Sequence, residues 1–83
     1  MPIDYAKLRS LTARKLISAL IKDGFYLRSQ SGSHKRYNHQ DGRMVTVAFH
    51  SSSDTFPPKT LQTIIEDQAK WDEDDLKQLG IIK

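Results

Sequence analysis

The sequence predicts an α+β fold: one amphipathic helix, a three-stranded antiparallel sheet, a second helix, and a short extra helix at the C-terminal end. Three observations carry that expectation. Leu16, Ile17, Leu20 and Ile21 recur at helical spacing. Apolar and polar residues then alternate through Phe25–Gln30 and again through Arg43–Phe49, on either side of an Asp41-Gly42 turn signal. Beyond Pro57-Pro58 the helical spacing returns with Leu61, Ile64 and Ile65.

Taken in order, residues 1–11 lack any period and read as an irregular lead-in. Thr12 supplies the N-cap of the first helix, and Gly24 ends it. In the first strand Phe25 and Leu27 point inward, leaving Tyr26, Arg28 and Gln30 on the other face. Ser31-Gly32-Ser33 turns the chain into a second strand, His34–His39, with Tyr37 inward and His34, Arg36 and Asn38 outward. The third strand buries Val45, Val47 and Phe49. Its polar connection to the second helix runs from His50 to Phe56. The last helix opens with Asp72 as N-cap and Asp75 three residues on, a capping-box spacing, while Trp71 staples onto Leu76. Four consecutive acids at its start complement the helix dipole, and a metal site is not read into them. An antiparallel sheet tolerates one wet face, so the helices are expected to cover only the other.

Eighty-three residues suit one domain with one small core. There is no cysteine, which removes disulfides and thiolate metal sites. No apolar run is long enough to span a bilayer, and the first residues lack the plan of a secretory signal, so a cytoplasmic protein with no membrane association is expected. Residues 1–59 carry ten Lys or Arg against four Asp or Glu, whereas residues 60–83 carry three against six. The long basic part favours a polyanionic partner; the acidic tail does not.

The chemistry concentrates at Gly32-Ser33-His34, followed at once by Lys35-Arg36. Histidine titrates near neutrality without help, and glycine lets the backbone approach an anionic ligand closely. Strand phase puts Arg28 and Gln30 beside His34 and Arg36 on the uncovered face. RNA carries its own nucleophile, the 2′-hydroxyl, so cleavage by transesterification needs only a base near that group and positive charge near the phosphate. His34 is the candidate catalytic residue. Arg28, Gly32, Ser33, Lys35, Arg36 and the helix-start Lys59 are the candidate RNA contacts. The acid for the leaving oxygen is open between Lys35, His39, His50 and water. His39 reads as a solvated turn residue, and His50 as a cap on the edge of the third strand. The histidine spacings match no metal-ligand pattern, and no metal or other cofactor is expected. Tyr26 falls on the open face, where two readings fit it: stacking on a base, and packing at the sheet edge, which is taken first.

With those residues placed, the chain resembles the HicA, or YcfA-like, family of mRNA interferase toxins from bacterial toxin–antitoxin modules. The resemblance covers roughly residues 12–68. Its parts are the helix ending in Asp23-Gly24-Phe25, the Gly32-Ser33-His34 triplet, the Asn38-His39-Gln40-Asp41-Gly42 turn, Val45-Thr46-Val47, and Thr60-Leu61 followed by Ile64 and Ile65. It implies a double-stranded-RNA-binding-domain-like α-β-β-β-α fold, endoribonuclease activity with His34 as the catalytic histidine, and a HicB-type antitoxin as partner. On this reading residues 1–83 form a single domain with a core over 12–68 and a helical extension over 71–80. Two other classes fit the same residues: a non-catalytic RNA-binding module, recognised by salt-sensitive binding without cleavage, and a protein–protein module that offers a strand edge.

Overall fold

The computed structural model describes residues 3–82. A 3₁₀ turn, Tyr5–Leu8, precedes helix α1, Ala13–Asp23; strands β1, Tyr26–Ser31, β2, His34–Asn38, and β3, Met44–Ala48, follow. Helix α2, Pro58–Gln62, runs directly into a π-helical segment, Thr63–Gln68, and helix α3 spans Glu73–Gln78. The three strands form one antiparallel sheet in the order β1-β2-β3. This is the expected α+β arrangement.

Helix α1 begins where Thr12 Oγ1 accepts the Lys15 N–H at 3.3 Å. Two further free amides of its first turn are met by the connection after β3, Ala13 N–H donating to the Asp54 carbonyl and Arg14 N–H to that of Ser52. The helix ends at Gly24, whose φ of 106° lies in the left-handed region. Its buried stripe is Ala13, Leu16, Ala19 and Leu20, with Ile17 half-buried. Ile21, expected inside, is 59% exposed. One residue advances ~100° around the helix, so Ile21 follows Leu20 off the edge of the core-facing strip.

Gly32-Ser33 makes a two-residue hairpin loop, because Ser31 pairs with His34 across it. Gly32 at φ 58° fits the glycine-first form of such loops. The second hairpin is longer: His39 N–H bonds the Arg43 carbonyl, and Gly42 N–H bonds that of His39 inside the loop. On the covered face Tyr37, Val45 and Val47 are buried. Phe49 is half-buried there beneath the Lys35 ammonium, which stands 4.6 Å from its ring centroid. Strand β1 is exposed throughout, Leu27 included, as befits a free edge. Part of the opposite edge is covered, since Gln68 Oε1 accepts the Thr46 N–H at 2.7 Å.

The lead-in and the tail are both structural. Leu8 and Leu11 from the lead-in, and Trp71 and Leu76 from the tail, belong to the same buried cluster as α1, the sheet and α2. Both halves of the capping box at α3 are made, Asp75 N–H to Asp72 Oδ1 at 2.8 Å and Asp72 N–H to Asp75 Oδ2 at 3.0 Å.

Candidate functional site

Cross-strand partners share a face of the sheet, so the register defines the uncovered surface as three rows. The first row is Tyr26, Asn38 and Met44; the second is Ser29, Arg36 and Thr46; the third is Ser31, His34 and Ala48. None of these residues is acidic. His34 is exposed at the first position of β2, flanked by two small side chains that leave its ring open on both sides. Arg36 lies two residues along the same strand, ~6.6 Å away in Cα rise, and is also exposed.

The strand-one half of the expected site is corrected by a β-bulge. Leu27 pairs with Tyr37 but Ser29 pairs with Arg36, so Arg28 is the extra residue and has no partner across the ladder. Beyond the bulge the phase is inverted. Ser29 and Ser31, not Gln30, therefore share the face of Arg36 and His34, while Gln30 pairs with Lys35 on the other face. Strict alternation through Tyr26–Gln30 had hidden this, because nothing in a run of polar side chains marks where the period slips.

The remaining candidates are spread around the molecule. Gly32 and Ser33 form the turn just before His34, the Ser33 carbonyl accepting the Phe49 N–H at 3.1 Å. Lys35 stands over Phe49 on the covered side of the sheet. Lys59 is exposed in the first turn of α2. The register thus brings together His34 and Arg36 beside the Gly32-Ser33 turn, and leaves Lys35 on the opposite face.

Neither of the other histidines shares the surroundings of His34. His39 was expected in solvent; instead its side chain is 14% exposed and packs edge-on against Phe25, centroids 5.0 Å apart. Its Nδ1 accepts the Asp41 N–H at 3.1 Å, which leaves Nε2 to donate to the Asp23 carbonyl at 2.8 Å. Nε2 thus ties the second hairpin to the end of α1, and Nδ1 is spent within the hairpin itself. Arg43 completes the latch, with Nε on Asp41 at 2.7 Å and Nη1 reaching both Asp23 and the Ala69 carbonyl. The Arg43 hydrogen bonds, more than its charge, hold the Asp41 carboxyl below its ordinary range. His50 is exposed at the far end of β3, in a turn whose His50 and Ser51 amides donate to Asp54 Oδ2. Those two hydrogen bonds likewise keep the Asp54 carboxyl low.

Among the described residues no three His, Asp or Glu side chains converge as a metal site, and no helix is long and apolar enough to cross a membrane. What the fold does define is a small α+β protein with a sheet uncovered on one face, presenting a histidine and an arginine among nine paired residues of which none is acidic. Comparison with known families gives that class its place. The family model described as the HicA toxin of bacterial toxin–antitoxin systems matches residues 13–81. The chain belongs to the HicA toxin family, and as a toxin of that kind it implies an antitoxin partner. The match takes in the α3 segment as well as the helix–sheet–helix part. A search of curated proteins returned no match.

Proposed function

We propose that this toxin is an endoribonuclease that cleaves RNA by metal-independent transesterification, with His34 as its proton-transfer residue, and that a HicB-type antitoxin neutralises it. The observation that carries the reading is the pairing of an uncovered His34 with Arg36 on one acid-free sheet face. His34 removes the proton of a 2′-hydroxyl, and the 2′-oxygen attacks the adjacent phosphorus. The P–O5′ bond breaks as the new P–O2′ bond forms. A 2′,3′-cyclic phosphate and a 5′-hydroxyl result, the leaving oxygen taking a proton from solvent or from a side chain not yet assigned.

Arg36 stabilises the extra negative charge of the phosphorane, as a charge positioned in advance does without reorganisation. Backbone amides at the Gly32-Ser33 turn add donors to a non-bridging oxygen. Arg28 at the bulge contributes to holding the polyanion, which makes binding fall as salt rises, whereas Lys35 and Lys59, away from the His34 face, reach only a strand that wraps beyond it. The antitoxin component rests on the family and on the uncovered sheet, which is a surface a protein can seal.

The test is cleavage of RNA in the presence of EDTA by wild type and by His34→Ala. Wild type should yield fragments ending in cyclic phosphate, and the variant should lose at least ~100-fold in rate, the usual weight of one acid–base group. Intact RNA with salt-sensitive retention would assign the face to binding without catalysis.

A further inference from the structure

The row of the open face farthest from the Gly32-Ser33 turn has no part in the proton transfer. Tyr26 and Met44 flank Asn38 there, and both are well exposed, at 52% and 58%. These are two of the four large apolar side chains exposed among the described residues. Asn38 between them holds the one buried side-chain oxygen among the described residues with no hydrogen-bond partner. Burying such an acceptor without a donor is costly. The row therefore presents an exposed aromatic and a flexible thioether, and it stands beside the arginine row.

We infer that this row is a base-stacking subsite for an unpaired RNA strand, with Tyr26 as its platform, deepening the ribonuclease reading on which it rests. Three observations favour RNA as occupant over a protein partner. The three rows run along one line, from aromatic through cation to histidine, which is the sequence of groups a nucleotide strand meets as base, phosphate and cleaved linkage. The face carries positive charge with no acid, complementary to a polyanion. Tyr26 also lies on β1, the free edge of the sheet, so a strand reaches its ring without crossing other structure.

Stacking on an aromatic ring requires a base that is not already paired, so the subsite selects single-stranded over duplex RNA. Asn38 and His34 are four residues apart on β2, ~13 Å of strand rise. That reach puts the stacked base outside the dinucleotide that is cut. Tyr26 is thus a specificity residue, not a catalytic one.

The experiment uses the His34→Ala protein, which retains the row, and short RNAs of one sequence carrying 2-aminopurine at successive positions. Fluorescence should be quenched at one position outside the cleaved dinucleotide, and Tyr26→Ala in the same background should abolish that quenching and weaken single-strand binding about tenfold. Tyr26→Phe should retain both, and the matching duplex should bind less tightly than the single strand. Equal affinity for duplex, or quenching that survives Tyr26→Ala, would overturn the inference. So would a Tyr26→Ala variant that binds RNA normally but no longer binds a HicB-type antitoxin, which would make the row a protein anchor. Failure of the catalytic reading would look different: His34→Ala would then cleave like wild type, whatever the quenching showed.

Discussion

His34 and His39 carry the same side chain, and their surroundings give them opposite work. His34 has Ser31 and Ala48 on either side and an open ring, whereas both His39 nitrogens are engaged within the latch. The latch explains why the chain needs glycine at position 24. Gly24 sits at φ 106°, and a Cβ there would come within 2.8 Å of His39 Nε2. Gly24→Ala combines left-handed strain with loss of the His39–Asp23 bond, and should destabilise the fold by ~1–3 kcal/mol in urea melts. Unchanged stability would mean that His39 does not hold α1 to the hairpin. In the sequence the open-face position of His34 was legible from strand phase. The partner of His39 was not, because Asp23 lies sixteen residues away and the contact exists only once the hairpin has docked.

At the level of elements, regular periods were readable and their interruptions were not. The alternation in β2 and β3 placed Tyr37, Val45 and Val47 inside, and that is where they are. The bulge at Arg28 and the π-helical segment after α2 are single-residue shifts of register that the side-chain pattern does not mark. In the latter, Ala69 N–H bonds Ile64 five residues back, widening the turn so that Ile64 and Ile65 are both buried. Helix α3 is the opposite case, since its capping box was written plainly in Asp72 and Asp75. With only six residues it depends heavily on that cap. Asp72→Ala should cost about 1 kcal/mol, seen as a lowered Tm.

Across the whole molecule, one core joins parts that the sequence reading had kept separate. Trp71 is 3% exposed and stacks edge-on to Phe25, with its indole N–H on Asp23 at 2.9 Å. The same Asp23 receives Arg43, so the end of α1, the second hairpin and the start of the tail meet at a single carboxylate. The segment beyond residue 70 was set outside the shared core because the resemblance covered only residues 12–68, and its composition is acidic. Charge, however, describes its outer side, while Trp71 and Leu76 determine where it packs. Trp71→Ala should therefore cost ~3–5 kcal/mol and leave little folded protein on mild heating, as circular dichroism would report. A small loss would show that the tail is a separate attachment. The latch and the tail make their contacts at the hairpin end of the sheet away from His34, and none of those contacts involves His34 or Arg36.

The most direct test of the central claim is the product formed from RNA in EDTA by wild type and by His34→Ala, resolved by end-group analysis. The account predicts 2′,3′-cyclic phosphate and 5′-hydroxyl ends from wild type, with the rate lowered at least ~100-fold in a folded His34→Ala protein. Cleavage at wild-type rate by that variant, or 5′-phosphate ends from either protein, would contradict it.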